Sequence, residues 1–257
     1  MHYHDPVLKD EVLEYLSVFE GGKYIDCTLG DGGHTVEILK KGGKVLGLDV
    51  DESSLKRAEE RIKDLGLEKN FKKVTGNFKH IEKLAEQSGF KEVNGILYDL
   101  GYSSTQLDDN KGLSFLEDQP LDMRLDNTLG ITAADLLNTL SEQQLTDLFY
   151  DYSDERYAKR FAGYIVNARK VKKLRSTKEL SELIVSVAPP NYEHGRIHPA
   201  TRVFQALRIA VNDEVSNLES SLPRASRLLL PGGRMIVISF HSLEDKMVKD
   251  FGHRAGP

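Results

Sequence analysis

Residues Tyr24 to His34, Y-I-D-C-T-L-G-D-G-G-H, run a short apolar strand into a glycine-rich turn, and Asp49 ends the next strand in K-V-L-G-L-D. Glycines let a ligand lie against bare backbone, and a carboxylate at the tip of the neighbouring strand accepts the hydroxyls of a ribose. Asp49 follows Gly30 by 19 residues, the interval that pairing requires. The loop is G-x-G-G-H, so it lacks the G-x-G-x-x-G spacing that brings a pyrophosphate onto backbone amides. A cofactor that carries adenosine without pyrophosphate, such as S-adenosylmethionine, fits it. Taken alone, Gly30, Gly32 and Gly33 read equally well as a tight strand-to-helix turn. Asp49 tips the balance, because Asp51 or Ser53 can cap the next helix and leave Asp49 for another task. His34 reads as a minor positioning residue.

A second group of residues points to transfer chemistry. The fourth strand ends G-I-L-Y-D-L-G-Y-S-S and delivers Asp99 to the same sheet edge as the glycine loop and Asp49. Enzymes that methylate exocyclic amines of bases often carry an Asp-Pro-Pro-Tyr type turn here, whose acceptors bind the amine hydrogens and whose aromatic stacks on the base. Asp99-Leu100-Gly101-Tyr102 has a similar shape, and Asp99 is the catalytic candidate; packing is the competing role for Tyr102. Asp122 with Arg124, His198 with Arg202 and His241 with Glu244 have two readings: side chains converging on this mouth, or ion pairs and caps that pin their own loops.

The elements that position these residues alternate through the first hundred positions. Strands are expected at Lys23 to Thr28, Lys44 to Asp49, Lys72 to Thr75 and Val93 to Asp99, with helices from about Thr35, at Glu52 to Leu65 and at Ile81 to Ser88. That rhythm means βαβ units and a parallel sheet. After Ser104 come a loop rich in Asp, Gly and Pro and then helices at Thr132 to Leu140, Ser141 to Tyr152, Asp154 to Lys172 and Ser176 to Val187. Ser141-x-x-Gln144 and Ser176-x-x-Glu179 read as capping boxes. A long helix runs from near Pro199 through Val215, and the sheet resumes at Met235 to Ser239. The expected organisation is a first part of the α/β domain at 1–106, a helical insertion for substrate recognition at 107–197, and a second part at 198–257. An insertion after the fourth strand is expected over the carboxyl ends of the strands, where open α/β sheets bind ligands; a stabilising lid or a homodimer surface is the alternative.

Composition narrows the partners. With 257 residues, 39% of them hydrophobic, the chain can bury a full core. Its single cysteine, Cys27, excludes a disulfide framework and a cysteine-based zinc site. The amino terminus has no signal-peptide pattern and no apolar run approaches membrane-spanning length, so a cytoplasmic protein without membrane contact is expected. His2, His4 and Asp5 read as scattered polar residues, and no metal is expected. The net charge of −5 hides an asymmetry: Glu155 to Arg208 carries +8, and Arg160 to Lys178 has seven basic residues and no acid. Such a run is either a solvated helix face or a landing surface for RNA phosphates.

Several strings in order carry a resemblance over nearly the whole chain: H-D-P-V-L from His4, D-C-T-L-G-D-G-G-H from Asp26, D-L-G-Y-S-S-T-Q-L-D from Asp99, P-L-D-M-R from Pro120, H-P-A-T-R-V-F-Q-A-L-R-I from His198 and S-F-H-S-L-E-D from Ser239. They are similar to the RsmH (MraW) family of bacterial methyltransferases, which act on a cytosine N(4) amine of small-subunit (16S) ribosomal RNA. The resemblance implies a Rossmann-like class I methyltransferase sheet, S-adenosylmethionine as cofactor, and 16S rRNA or the small ribosomal subunit as partner. It carries cofactor contacts onto Gly32, Gly33, His34, Asp49, Phe78, Asp99 and Gln106, with Phe78 flanking the adenine. The chain departs from the family pattern at Tyr102, Thr105, Leu113 and Gln119, and with Ser153-Asp154-Glu155-Arg156. It also ends before the antiparallel strand pair that normally completes such a sheet, which keeps alive a rival: a non-catalytic RNA-binding or ribosome-assembly factor on the same fold. A small-molecule methyltransferase is disfavoured by the basic insertion, and a nicotinamide oxidoreductase by the loop.

Overall fold

The computed structural model describes residues 6–108 and 110–255; His2, His4 and Asp5 lie outside them. In chain order the elements are α1 (Lys9–Tyr15), β1 (Lys23–Asp26), α2 (Gly33–Lys40), β2 (Lys44–Asp49), α3 (Glu52–Asp64), β3 (Phe71–Thr75), α4 (Ile81–Ser88) and β4 (Val93–Asp99). There follow α5 (Ser104–Asp108), α6 (Ala133–Thr139), α7 (Glu142–Ser153), α8 (Ala158–Val171), α9 (Thr177–Val187) and α10 (Thr201–Asn212). The chain closes with α11 (Glu214–Ser226), β5 (Leu229–Ile238) and α12 (Ser242–Ala255). It divides into two compact units, Met1–Ser103 with Val215–Pro257 and Ser104–Glu214.

In the α/β unit five strands pair in the order β3-β2-β1-β4-β5, and every pairing is parallel. Parallel sheets are covered on both faces, so their strands carry near-continuous apolar runs. Ile25, Leu46, Leu48, Ile96 and Tyr98 accordingly lie in one core cluster with Leu218, Leu222 and Ala225 of α11, and Tyr24, Val45 and Leu97 in another with Val36, Ile38 and Leu39 of α2. Connections run from β1 outward through β2 to β3, then return so that β4 lies on the other side of β1. That reversal leaves a crevice at the carboxyl ends of β1 and β4, where ligands bind in such sheets. β5 starts earlier than the apolar run Met235 to Ser239 predicts, because Leu229 already pairs with Val93 and the Pro231-Gly232-Gly233 segment is absorbed as a register shift before Arg234 pairs with Gly95.

The helical unit has its own core, in which Leu137, Leu145, Phe149, Phe161, Ile165 and Ile184 pack with Val203, Phe204 and Leu207. Three of its helix starts are written locally. Thr132 and Asp135, Ser141 and Gln144, and Ser176 and Glu179 form reciprocal capping boxes at α6, α7 and α9, each satisfying two backbone donors that a helix end leaves open. Two aspartates stop helices: Asp154 and Asp213 sit in the left-handed region at φ 51°, after α7 and α10. The second of these corrects the single long helix expected through Val215, which is two helices, α10 and α11. The unit also extends to Glu214, past the sequence boundary at 197, because α10 contributes Val203, Phe204, Leu207 and Val211 to the helical core.

Candidate functional site

Three carboxylates stand at or near the carboxyl ends of three adjacent strands: Asp26 on β1, Asp49 on β2 and Asp99 on β4. Asp26 pairs in register with Gly47 and Leu97, so Asp49 and Asp99 each lie two residues further along their strands. The loop after β1 passes between them. Gly30 there adopts φ +51°, and a side chain at that position would find its nearest neighbours 3.9 Å away or more, so this stretch of backbone is bare. Gly32, at φ +76°, instead presses on Ala58 of α3, where a Cβ would come within 3.2 Å, and Gly33 presses on Pro6 at the same distance.

Asp49 organises that loop. One carboxylate oxygen accepts the Gly30 amide at 2.8 Å and the other the Asp51 amide at 2.9 Å, which leaves each oxygen capacity for one more donor. Burial raises the Asp49 pKa to about 6 from an ordinary 3.8, against the lowering effect of the two amides. Asp51, the alternative cap, does cap α3, accepting from the Ser53 amide, so Asp49 is not needed for that task.

Asp26 escaped the sequence reading as a site residue, where it looks like one more strand position. It is fully buried, accepts the Thr35 hydroxyl at 2.7 Å and the Thr28 amide at 3.2 Å, and has its pKa raised by burial. Thr28 in turn accepts the Asp99 amide on its hydroxyl at 2.7 Å. One buried carboxylate therefore ties the end of β1, the first turn of α2 and the end of β4 together. His34, on that same turn, places Nε2 3.6 Å from Asp99 Oδ2, too long for a hydrogen bond. His34 Nε2 and Asp99 Oδ1 are both buried and lack a hydrogen-bond partner.

Aromatic rings flank the edge. Phe78 is half-buried, its ring edge-on to Tyr98 with centroids 5.5 Å apart, and its carbonyl accepts the Ser221 hydroxyl. Tyr102 is exposed after β4. Phe240, just beyond β5, is 59% exposed and would lie 3.6 Å from a side chain at Gly101. Sequence reasoning missed Phe240, since a lone aromatic in S-F-H-S carries no periodic signal. Cys27 is buried and its thiol pKa is raised well above the usual value by burial, so it is no nucleophile.

The remaining expected residues have the following surroundings within their own units. Gln106 is buried on α5, in the helical unit. Arg124 forks onto Asp122 at 2.7 and 2.8 Å and donates to the Leu129 carbonyl, pinning its own loop. His198 stacks on Phe115 and accepts the Ala200 amide, while Arg202 pairs with Glu193. His241 lies 3.0 Å from Glu244, whose other oxygen accepts the Phe240 amide. These pairs favour the loop-pinning reading.

An adenosine-bearing cation fits what is present: bare backbone at Gly30, an acceptor with spare capacity at Asp49, unpartnered polar atoms at His34 and Asp99, and three carboxylates at one edge. The sequence relatives agree. A profile of the MraW methylase family matches residues 1–255. The chain belongs to this family. Among its relatives, the protein named ribosomal RNA small subunit methyltransferase H from Carboxydothermus hydrogenoformans is 49% identical over 98% of this chain and 80% of that one. Proteins of the same name from Geobacter sulfurreducens and Sulfurihydrogenibium sp. are 46% and 44% identical, covering 98% and 96% of this chain and 81% and 84% of theirs. Among solved structures, an RNA methyltransferase from Salinibacter ruber in complex with S-adenosyl-L-homocysteine matches at 20% identity over 43% of this chain and 66% of that chain, with a TM-score of 0.32, too partial a likeness to carry an argument.

Proposed function

We propose that the protein transfers a methyl group from S-adenosylmethionine to the exocyclic N(4) amine of a cytosine in small-subunit (16S) ribosomal RNA, acting in the cytoplasm. Membership of the MraW methylase family supports the cofactor and the RNA substrate class. The observation that carries the site assignment is the edge of three carboxylates, with unpartnered atoms on His34 and Asp99 beside a loop whose backbone is bare at Gly30. Among the described residues no helix is long and apolar enough to cross a membrane.

Bound S-adenosylmethionine supplies an electrophilic methyl group on a sulfonium. Asp49 accepts the ribose hydroxyls on its spare lone pairs, and Phe78 flanks the adenine. The first turn of α2, which has no side-chain cap at Gly32, directs free amides and the positive end of the helix dipole toward a carboxylate. His34 and Asp99 complete the cofactor contacts, with Gln106 as the further contact implied by the family. Asp99, whose side chain is partly exposed, also accepts a hydrogen of the cytosine amine. The lone pair of that amine is delocalised into the ring, so the site must hold the amine in line with the methyl group; the carbon–sulfur bond would break as the carbon–nitrogen bond forms, and the proton the amine then loses would pass to Asp99 and on to water. Asp26 acts through Asp99 as a positioning residue, by way of Thr28. The base is unstacked to reach this edge, and Tyr102 and Phe240 are the rings proposed to receive it.

The test is methyl transfer from labelled cofactor into purified, unmethylated small subunits, followed by nucleoside analysis. Label in N(4)-methylcytidine is expected, and Asp99→Ala should reduce its formation at saturating cofactor. Cofactor binding without any transfer would favour the non-catalytic assembly factor, and near wild-type turnover in Asp99→Ala would make Asp99 structural.

A further inference from the structure

Within the helical unit an open groove of about 560 Å³ runs along the first half of α8, with Glu142 at the start of α7 beside it. Its lining includes Arg156, Lys159 and Arg160 at the start of α8, the rings of Tyr157 and Tyr164, and one carboxylate, Glu142. Residues 157, 160 and 164, like 156, 160 and 163, recur at helical spacing, so cations and rings share one face. Gly163 lies on that face, in the interior of α8. Glycine there costs about 0.8 to 1 kcal/mol relative to alanine, and it leaves the floor of the groove without a side chain.

What marks these cations out is the groove and the rings beside them, since exposed Lys170, Lys173 and Arg175 likewise have no carboxylate within ion-pair distance among the described residues. Elsewhere in the helical unit Lys172 pairs with Glu179, Lys178 with Glu182, Arg202 with Glu193 and Arg208 with Glu214, while Arg169 donates to the Leu137 carbonyl at 2.6 Å. Among the described residues no carboxylate lies within ion-pair distance of Arg156, Lys159 or Arg160, and all three are exposed. The two rings of the groove differ from each other. Tyr157 packs against Phe161 and Tyr192, with centroids 6.3 and 5.8 Å away, whereas Tyr164 is 48% exposed. Unpaired cations beside an exposed flat ring match a polyanion that carries flat bases, since phosphates take up the charge and a base stacks on the ring without regard to sequence. The amino end of α8 adds to the field, because its N-cap Tyr157 offers no side-chain acceptor.

We propose that this groove docks single-stranded RNA of the substrate, with phosphates on Arg156, Lys159 and Arg160 and a base stacked on Tyr164. The proposal rests on the reading of the protein as an rRNA methyltransferase and assigns a surface to that substrate. It places the landing site at the start of α8, where cations and an exposed ring line one groove, rather than in the middle of the basic run.

The experiment compares the full-length triple variant Arg156→Gln, Lys159→Gln, Arg160→Gln with the control Lys170→Gln, Lys172→Gln, Lys173→Gln, and Tyr164→Ala with Tyr164→Phe. Each is measured for methyl transfer into small subunits and for binding of a single-stranded oligoribonucleotide across a salt series, with cofactor affinity taken by calorimetry. The groove triple should raise KM for subunits roughly tenfold or more with little change in kcat, and lower the log–log salt slope by about 2, near 0.7 for each phosphate lost. Tyr164→Ala should weaken oligonucleotide binding and Tyr164→Phe should restore it, with cofactor affinity unchanged throughout. Wild-type oligonucleotide affinity and slope in the groove triple would overturn the proposal, as would an effect confined to the control triple. Displacement by polyglutamate as effective as by RNA would also overturn it, in favour of an acidic protein partner. Failure of the unmodified protein to methylate subunits counts against the enzymatic reading alone, because the oligonucleotide series still decides the groove.

Discussion

In the α/β unit the charges that matter are acidic, short and held in place. Asp26, Asp49 and Asp99 sit at or near strand ends, and two of them are fixed through both oxygens by backbone amides or a buried hydroxyl. In the helical unit they are basic, long and exposed, carried on Arg156, Lys159 and Arg160 without partners among the described residues. The difference follows from the ligands. A small cation-bearing cofactor is discriminated by acceptors that cannot move, and fixing them requires taking carboxylates partly out of water, at the energetic cost seen in the raised pKa of Asp49. A polyanion is attracted by many weak, solvated contacts, and rigidity there would only restrict which part of the chain can bind. One unit therefore takes its charges partly out of water, and the other leaves them solvated.

The sharpest way to break this contrast is in the cores. Phe149, fully buried in the helical unit, should cost about 3 to 5 kcal/mol when truncated to alanine, read by denaturant unfolding. Cofactor affinity measured below the transition should stay at the wild-type value; a large loss there would show that the two units are not separable in function. Next comes Asp49→Ala, expected to weaken cofactor binding by about 1.5 to 3 kcal/mol. Because this variant also removes a carboxylate held partly out of water, its unliganded stability should change much less than its affinity. Calorimetry returning unchanged affinity in the folded variant would remove Asp49 from the site.

A smaller effect, roughly 1 to 3 kcal/mol in substrate binding, is expected for Phe240→Ala, read as a rise in KM for subunits with cofactor affinity unchanged. Substitution by Tyr should restore it, and an unaltered KM would leave Tyr102 alone as the receiving ring.

The pH dependence supplies the most discriminating comparison at the smallest scale. The folded-state pKa of Asp49, about 6, lies above its ordinary 3.8, so the unliganded folded chain takes up a proton before the unfolded chain does. The contribution of this group to stability should therefore decrease as pH rises from about 4 to 6, the reverse of acid denaturation. Cofactor affinity needs the ionised form, so it should be level above about pH 7 and fall toward tenfold per unit as pH drops below about 6. A helical unit that binds RNA through Arg and Lys should show no such step in oligonucleotide affinity. Equal pH profiles for both ligands would contradict the division of labour.

Legibility in the sequence follows the same contrast. β2, β4 and α4 have the bounds that their apolar patterns predict, and the capping boxes at α7 and α9 form as written. These features are local, and local chemistry is what one sequence displays. The break between α10 and α11 is not, because an aspartate in the left-handed region looks like any helix aspartate until packing selects it. α1 is hidden for a related reason: it begins after Leu8 at φ 51° with no side-chain cap. In the site, the strand-tip acids announce themselves through spacing. Asp26 and Phe240 do not, since their roles rest on contacts with Thr35, Thr28 and Gly101 that only the folded sheet assembles.

The position of β5 in the chain has a consequence for how the protein is made. β4 is synthesised before the helical unit and β5 after it, so one edge of β4 emerges from the ribosome with no strand to pair with. At bacterial translation speeds the wait is on the order of ten seconds, long compared with the microseconds in which helices form. An apolar strand edge exposed for that time invites aggregation. Residues 104–214, with three helix starts encoded in their own caps and a core of their own, can complete their fold during the wait. The nascent α/β unit then receives α11 and β5, which pairs with the waiting edge of β4, and the order of the gene matches the order in which these pieces can become stable.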